Sequence, residues 1–381
     1  MKTTLAPTTT TWLDRLFSFG SVEAARKALA DRHPAFAPAR LGRLAVVGAA
    51  AEGQRFVATC IERGIHVAAV CDDNPKMVGT KVGAATVQPT ATLERLDRTI
   101  PVVVATHRAM KPVERVRAMG FEAVLPLGVL QTIAPDVFEP QIFYKGWIED
   151  LVGNRDRYRQ LHATLADDRS RATLDAILGY RLSGDPSVMG PMIEWDLYAT
   201  TDLFQLGTDE VYVDAGAFDG DTTRLFIERT KGRFEKVYAF EPDPDTFRRL
   251  AANFAHEPRV VPVNKGLYDR VTTLYFDGDG SRHSGIQATG NIKVDVTDLD
   301  TLMAGGRVSY IKMNIEAAEP AALEGARETI RKWKPRLAVS CYHRPGHLWE
   351  IPEQVLALRS DYKIYYRQHD GGVIESTMYA L

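Results

Sequence analysis

The residues best suited to chemistry stand in one short stretch, Asp214-Ala-Gly-Ala-Phe-Asp-Gly-Asp221. Gly216 and Gly220 within it let the backbone approach a ligand closely, because glycine has no Cβ and readily adopts positive φ. An apolar run precedes the stretch and a helical pattern follows it, which predicts a strand, a loop and a helix. Ligands of parallel α/β sheets bind at this carboxyl edge of the strands. The stretch therefore predicts a ligand-binding loop that includes Phe218.

A further acid follows at the end of the next apolar run, where KVYAFEP delivers Glu241. A carboxylate at that place can accept hydrogen bonds from both hydroxyls of a ribose. Four acids thus surround the loop: Asp214, Asp219, Asp221 and Glu241. They would repel a pyrophosphate but attract the sulfonium and ammonium groups of S-adenosylmethionine. We therefore expect Asp214 and Glu241 to bind S-adenosylmethionine, while helix capping explains Asp219 and Asp221 equally well.

Polar side chains also follow two later apolar runs, at Asn314, Glu316 and Glu319 after YIKM and at His343 in SCYH. Histidine is a natural general base for a hydroxyl, since its ordinary pKa of about 6.5 is close to neutral pH. An asparagine can orient a hydroxyl but cannot take its proton. We expect His343, Glu316 and Asn314 to act on an acceptor hydroxyl and Glu319 to bind the acceptor. Alternatively, the two glutamates only cap the next helix and compensate its dipole. The histidine would then only form hydrogen bonds with backbone groups at the strand end.

His343 and His347 have the spacing of a helical metal-binding pair. Pro345 and Gly346 between them prevent the helix that would align the two rings. We expect no metal site there.

A polar, glycine-rich loop, DGDGSRHSGIQATG, spans residues 277–290 between two expected strands. Loops of this kind often bind substrate, and Ser284 is its candidate contact. A surface turn without function explains the same composition.

The elements around these residues form a repeating pattern. From about Glu210, five apolar runs alternate with helical segments, which predicts a doubly wound parallel sheet; the runs are VYVDAGAF, KVYAFEP, RVVPVNKG, SYIKMNIE and RLAVSCYH. The last two runs, YKIYYRQHD and VIESTMYA, flank Gly371 and Gly372, a composition typical of a tight antiparallel connection. An open parallel sheet that ends in an antiparallel hairpin is the layout of class I methyltransferases, whereas dinucleotide dehydrogenases normally keep a parallel sheet.

A smaller unit of the same kind precedes it, because RLAVVGAAAEGQRFVATCIERGIHVAAVCDDNP reads as a β-α-β unit. The fold class is therefore α/β with two Rossmann-like domains. We expect an N-terminal helical extension over 1–40, a small Rossmann-like domain over 41–135, a helical connector over 136–205 and a methyltransferase domain over 206–381. The connector around Trp195 and Tyr198 could cover the site of the last domain.

Composition excludes several other classes. Lys and Arg total 47 against 49 acids, so the net charge of -2 gives no general reason to expect nucleic acid or an anionic membrane as partner. The three cysteines lie far apart, which fits a reducing compartment. No apolar stretch approaches the roughly 18 residues of a membrane span. We expect a cytoplasmic protein that acts on a small molecule. The sequence does not indicate the oligomeric state.

Four segments resemble, in order, the motifs of the FkbM family of S-adenosylmethionine-dependent methyltransferases: VYVDAGAFDGDTT, KVYAFEPDPDTFRRLAANF, VNKGLYD and YIKMNIEAAEPAALEGARETI. The resemblance covers roughly the last half of the chain. It implies methyl transfer to a hydroxyl, commonly on a sugar or a natural-product scaffold. It also implies a glycine loop at Asp214, Gly216 and Gly220, a ribose-binding acid at Glu241, and adenine contacts at Asn264 and Gly266.

The chain departs from the family pattern I-K-x-D-x-E-G-x-E at two positions. Asn314 stands in place of the aspartate and Ala317 in place of the glycine. An asparagine removes the carboxylate base that the pattern would supply at this position.

The stretch from Leu44 through AAVCDDNPKMVGTKVG resembles the small Rossmann-like domain at the front of bacterial sugar acyltransferases, which binds a nucleotide-linked sugar. The resemblance implies that Asp73 accepts a hydrogen bond from a ribose or sugar hydroxyl. A turn stabilised by Asp, Asn and Pro is the alternative.

The expected function is therefore S-adenosylmethionine-dependent O-methylation of a small-molecule acceptor, with a nucleotide-linked sugar as the specific hypothesis. Two rivals stay open at this point. One is a binding protein with a methyltransferase fold but no catalytic activity, which the asparagine at position 314 would indicate. The other is a nicotinamide oxidoreductase, which the acidic loop disfavours.

Overall fold

A computed structural model of the chain describes residues 10–198, 202–276, 286–287 and 292–381. The chain divides into two compact units, each of which mixes helices with a sheet. The first unit consists of the described residues within Met1–Ala163, Arg171–Ile193 and Asp370–Ile374. The second consists of those within Thr164–Ser170, Glu194–His369 and Glu375–Leu381.

The first unit contains a four-stranded parallel sheet, which confirms the β-α-β interpretation of its sequence. Its strands are β1 (Arg43–Val47), β2 (His66–Cys71), β3 (Lys81–Val82), β4 (Ala85–Thr86), β5 (Val102–Val104) and β6 (Val124–Pro126). The parallel sheet has the order β2-β1-β5-β6, while β3 and β4 form a separate antiparallel pair. Every residue of β5 and β6 is buried, as expected for strands covered on both faces.

The helices up to residue 183 are α1 (Trp12–Ser18), α2 (Val22–Arg32), α3 (Ala51–Glu62), α4 (Met110–Ala118), α5 (Leu127–Ile133), α6 (Trp147–Gly153), α7 (Arg155–Thr164) and α8 (Asp168–Ser183). Short 3-10 turns lie at Pro34–Phe36, Pro38–Arg40, Thr90–Arg95 and Pro186–Met192. Within the described residues, no helix combines the length and the apolar character that a membrane crossing requires.

The second unit contains a seven-stranded sheet and a smaller four-stranded one. Its strands are β7 (Val211–Ala215), β8 (Lys236–Phe240), β9 (Val260–Val263), β10 (Gly266–Leu267), β11 (Thr272–Phe276), β12 (Ile286–Gln287), β13 (Ile292–Thr297), β14 (Tyr310–Met313), β15 (Arg336–Ser340), β16 (Ile364–Gln368) and β17 (Ser376–Ala380). Its further helices are α9 (Asp221–Arg229), α10 (Pro244–Asn253), α11 (Leu299–Met303), α12 (Glu319–Glu324), α13 (Arg327–Trp333) and α14 (His347–Leu358).

The large sheet has the order β16-β17-β15-β14-β7-β8-β9. Its strands pair in parallel except β17, which runs antiparallel to both β15 and β16. The prediction of five parallel strands that finish in an antiparallel hairpin is therefore confirmed. The smaller sheet, of order β10-β13-β11-β12, was not predicted as a sheet.

One helix predicted over PAALEGARETIRKW is in fact two, α12 and α13. An added Cβ at Gly325 would lie 2.0 Å from the Tyr268 carbonyl oxygen, so the chain passes another segment closely at this residue. The Asp300 carboxylate accepts the backbone N–H groups of Glu328 and Thr329, each at 2.8 Å, and so starts the second helix. The helix is divided by contacts with Tyr268 and Asp300, which are distant in sequence. The helical periodicity of the segment therefore gives no indication of the break.

A buried ion pair joins β7 to β14 at the edge of the large sheet where parallel strands end. Lys312 on β14 stands in register with Asp214 on β7. The Lys312 ammonium donates to Asp214 Oδ1 at 3.0 Å and to the carbonyl oxygens of Ala215 and Gly216 at 3.2 and 2.8 Å. These bonds use its three donors and fix the end of β7, the following loop and β14 relative to one another.

The segment between β14 and α12 has an unusual backbone. Glu316 and Ala317 are both left-handed, with φ of 53° and 76°. Ala317 therefore keeps the conformation that suits the glycine of the family pattern, although its Cβ makes that conformation unfavourable. The left-handed conformation of Ala317 therefore carries a cost in backbone energy.

Lys312→Met leaves the Asp214 carboxylate buried without its cation, and breaking a buried pair in this way costs about 3–5 kcal/mol of unfolding free energy. Urea unfolding followed by tryptophan fluorescence measures the loss. Lys363→Met, which removes an exposed lysine next to β16, is the matched control and is expected to stay within about 0.5 kcal/mol. Equal losses in the two variants would contradict the role given to the ion pair.

Ala317→Gly is expected to raise the free energy of unfolding by roughly 0.5–1 kcal/mol, because glycine removes the steric penalty of the left-handed conformation. Ala321→Gly, within α12, is the control and should lower it by about 1 kcal/mol. Destabilisation by both variants would show that the backbone at residue 317 is relaxed in the native protein.

Candidate cofactor and acceptor site

Both glycines of the loop after β7 are required by the packing of the protein itself. Gly216 has a φ of 77°, and a Cβ there would lie 2.1 Å from the Asn314 carbonyl oxygen. Gly220 has a φ of 91°, and its Cβ would lie 2.2 Å from the ring of Phe254. The loop therefore runs against β14 on one side and α10 on the other, and any larger residue would displace it.

Asp214 is wholly buried below this loop. Its Oδ2 accepts the hydroxyl groups of Thr222 and Thr223, each at 2.7 Å, and its Oδ1 accepts the Lys312 ammonium. The predicted cofactor contact of Asp214 can therefore be only indirect, through the loop and the first turn of α9 that it anchors.

Glu241 follows β8 directly and ties that strand end to the glycine loop. Its Oε2 accepts the backbone N–H of Phe218 at 3.0 Å, and its Oε1 accepts that of Asp243 at 2.9 Å. Phe218 is held at a φ of 51°. A carboxylate has about four lone-pair positions, so these two bonds are compatible with hydroxyl ligands as well.

The remaining predicted cofactor residues lie just beyond Glu241. Asn264 Nδ2 donates to the carbonyl oxygens of Glu241 and Pro242 at 2.9 and 3.1 Å. Gly266 begins β10, and an added Cβ would lie 3.8 Å from Pro242. The structure thus brings Asn264 and Gly266 to the strand end that carries Glu241, as the sequence predicts for one site.

Asp219 and Asp221 make local contacts at the start of α9, but neither caps that helix, whose N-cap residue is Gly220 without a side-chain hydrogen bond. Asp219 pairs with Arg224 at 2.9 Å, and Asp221 accepts the backbone N–H of Thr222 at 2.7 Å at the start of α9. Neither contact involves the strand end at Glu241.

His343, Glu316 and Glu319 come together at the ends of β14 and β15. His343 Nδ1 lies 2.9 Å from Glu319 Oε1, and His343 Nε2 lies 3.8 Å from Glu316 Oε2. Glu319 Oε1 also accepts the backbone N–H of Ile315 at 2.8 Å. Glu319 is fully buried, so it can reach an acceptor only through its neighbours, whereas the Glu316 side chain is 49% exposed.

Burial lowers the pKa of His343, but the carboxylates of Glu319, Glu316 and Glu375 outweigh it, so the net pKa is raised. Burial alone would raise the pKa of Glu319, and the charge and hydrogen bond of His343 reverse that effect and lower it. The two shifts have one physical cause, a buried attraction between carboxylate and imidazolium.

His347 begins α14 and is buried next to the same glutamate, with Nδ1 3.8 Å from Glu319 Oε2. Burial lowers its pKa to about 4, so it is neutral near pH 7. Among the residues that the structure describes, no group of three or more His, Cys, Asp or Glu is placed to hold a metal ion.

Asn314 is held between two tyrosines that sequence reasoning did not assign to the chemistry. Its Nδ2 donates to Tyr198 Oη at 2.9 Å, and Tyr342 Oη donates to its Oδ1 at 3.2 Å. Tyr198 Oη also lies 3.1 Å from Ser340 Oγ. Burial raises the pKa of both phenols well above the ordinary value, so they remain neutral and orient the amide.

Two predicted substrate contacts are not part of this cluster. Ser284 lies outside the described residues. Asp73 belongs to the first unit, where it accepts the backbone N–H of Thr90 at 3.0 Å and pairs with Arg115. These bonds describe a stabilised turn after β2, and a sugar contact at Asp73 stays a prediction, as does the likeness of this unit to sugar acyltransferases.

Comparison with known proteins gives three findings. Residues 214–364 match the family profile described as "Methyltransferase FkbM domain". Hexuronic acid methyltransferase AglP of Haloferax volcanii is 29% identical over 130 residues, which is 32% of this chain and 52% of that protein. This chain thus spans about half the length of that curated relative.

A solved structure is similar over nearly the whole chain. Methyltransferase FkbM from Methylobacillus flagellatus superposes with a TM-score of 0.72 at 25% identity, and the match covers 94% of this chain and 98% of the other. The similarity therefore extends over both units. Together with the motif order and the strand order, it confirms the family resemblance for the second unit: residues 214–364 are a methyltransferase FkbM domain.

Proposed function

We propose that the chain is an S-adenosylmethionine-dependent O-methyltransferase that methylates a hydroxyl of a sugar-type small molecule. The observation that carries this proposal is the position of Glu241, an acid held by backbone N–H groups at the end of β8 against a glycine loop. That is where a nucleoside ribose meets a doubly wound sheet.

The residues around this edge fit the cofactor. The loop is held by the close packing of Gly216 against Asn314 and of Gly220 against Phe254. Glu241 supplies acceptors for the ribose hydroxyls. Asn264 and Gly266 border the same place on the side of β9, where the adenine is expected. Bound S-adenosylmethionine would supply an electrophilic methyl group on a sulfonium. Glu241 is the carboxylate of this edge that can attract that cation, since Asp214 and Asp219 are already paired with Lys312 and Arg224.

The acceptor side lies at the ends of β14 and β15. Glu316, Asn314 and His343 stand there, and a hydroxyl needs such groups to be oriented and to lose its proton. Most of the rate would come from holding the oxygen in line with the methyl group. The relation to AglP, named for hexuronic acid, supports a sugar as acceptor.

Glu241→Ala is expected to weaken S-adenosylhomocysteine binding by about ten- to hundredfold, since hydrogen bonds to a charged group contribute about 1.5–3 kcal/mol. Isothermal titration of the full chain measures it. Glu235→Ala removes an exposed glutamate at the other end of β8 and should bind as the wild type does. Equal affinity in the wild type and both variants would contradict the assignment of Glu241 to the ribose. Absence of binding by the wild type would contradict the proposal that S-adenosylmethionine is the cofactor.

Transfer of labelled methyl from S-adenosylmethionine is expected with at least one sugar of a panel made of methyl glucoside, methyl glucuronide and the uridine diphosphate derivatives of both sugars. A methyl ether at a hydroxyl keeps its label in mild alkali, whereas a methyl ester releases it as methanol. Release would contradict the hydroxyl assignment in favour of a carboxyl acceptor. Cofactor binding with no transfer to any of the four compounds would contradict the sugar assignment.

A further inference from the structure

His343 stands between two carboxylates, one at each ring nitrogen. Glu319 Oε1 lies 2.9 Å from Nδ1 and Glu316 Oε2 lies 3.8 Å from Nε2. The Nε2–Glu316 distance is too long for a hydrogen bond, so that carboxylate acts on the ring through its charge. Two carboxylates on opposite sides of one buried ring favour the imidazolium, which cannot serve as a base.

The three side chains differ in their access to a ligand. Glu319 has no exposed surface, His343 is 1% exposed and the Glu316 side chain is 49% exposed. A group that receives a proton from an acceptor must lie within hydrogen-bonding reach of it. Of the three, Glu316 is the one placed to meet an acceptor.

We infer that Glu316 is the catalytic residue that takes the acceptor's hydroxyl proton, and that His343 and Glu319 are positioning residues which hold it. This inference rests on the proposed function, because it assigns roles within the methyl-transfer site. In the step, the methyl–sulfur bond of S-adenosylmethionine would break as the methyl–oxygen bond forms, and S-adenosylhomocysteine would leave as a neutral thioether. The acceptor's O–H bond breaks and its proton passes to a carboxylate oxygen of Glu316. The imidazolium faces that carboxylate and holds it in position.

The backbone supports this division of roles. The left-handed conformation of Glu316 follows directly on Ile315, whose N–H is bonded to Glu319. Glu319 contacts both the Ile315 N–H and the His343 ring. It therefore holds in place both the backbone next to Glu316 and the imidazolium that faces the Glu316 side chain. Loss of the Glu319 carboxylate should therefore displace the Glu316 side chain, although Glu319 itself is buried and does not contact an acceptor.

Other charged groups around His343 also bear on its protonation. Glu375, which precedes β17, adds to the raised pKa of His343. His347 on α14 is close to the same carboxylate, and its pKa of about 4 keeps it neutral near pH 7. Arg344, the next residue in the chain, acts on His347 in the direction that lowers its pKa. The carboxylates thus dominate the surroundings of the ring.

Nuclear magnetic resonance of the full chain with isotope-labelled histidine tests the inference without cofactor or acceptor. The signals of His343 are assigned by their loss in His343→Gln. At pH 7 both ring nitrogens are expected to be protonated, with a titration midpoint above the ordinary value of about 6.5. A neutral ring at pH 7 in the wild type overturns the inference, even if no variant folds.

Three variants separate the contributions. Glu319→Gln should move the midpoint of His343 to lower pH, and by more than Glu316→Gln does, because the nearer charge interacts more strongly. Glu324→Gln, the control, removes an exposed carboxylate at the end of α12 that pairs with Arg327, and should leave the midpoint unchanged. An unchanged midpoint in Glu319→Gln would overturn the assignment of that residue.

Activity provides the second readout, with the sugar that accepts label in the panel. Glu316→Gln should lower kcat by about ten- to hundredfold with unchanged S-adenosylhomocysteine affinity, and Glu316→Asp should restore part of it. Wild-type kcat should fall as pH rises through the His343 midpoint, because Glu316 then loses the charge contact that holds it in position. A rise through that midpoint would make His343 the base. If the wild type does not bind S-adenosylhomocysteine, the proposed function is contradicted, while the protonation state of His343 measured by nuclear magnetic resonance remains valid.

Discussion

The edge of the large sheet that we propose binds the cofactor depends on one buried cation, the ammonium of Lys312. Its three donors meet the Asp214 carboxylate and the carbonyl oxygens of Ala215 and Gly216. A charge removed from water is tolerated only when all its donors are satisfied, because desolvation costs several kcal/mol per ion. The end of β7, the first residues of the glycine loop and β14 are consequently one rigid piece. A ligand that meets the loop therefore finds donors and acceptors already in place.

The same rigidity extends to the acceptor side. β14 carries Lys312 in its interior and Asn314 directly after its end, so the ion pair also fixes where the next segment starts. Two residues further, the left-handed backbone of Glu316 turns the chain toward α12, and Glu319 in the first turn of that helix bonds back to Ile315. A few side chains thus fix the positions of the proposed cofactor residues and of the proposed acceptor residues relative to one another. Preorganisation of this kind is what lets an enzyme hold two reactants in line.

The sequence predicts the large sheet well, because its strands are apolar runs bounded by turn residues, and strand ends share one edge. It does not predict the break at Gly325, since the cause is the carbonyl of Tyr268, distant in sequence. The site shows the same limit. Strand-end position singles out the acids and His343 as candidates, whereas the burial of Asp214 and Glu319, which prevents direct contact with a ligand, is visible only in the structure. One signal was available: a lysine within the otherwise apolar β14 requires a buried anionic partner.

The amide at residue 314 has a consequence for how protons leave the site. Tyr342 donates to Asn314 Oδ1, and Asn314 Nδ2 donates to Tyr198, so the hydrogen bonds run in one direction. An amide neither gains nor releases a proton near neutral pH, and the two phenols stay protonated. This side of the site therefore acts as an insulator to proton conduction. In the proposed reaction, the acceptor's proton therefore cannot pass into the core through residue 314.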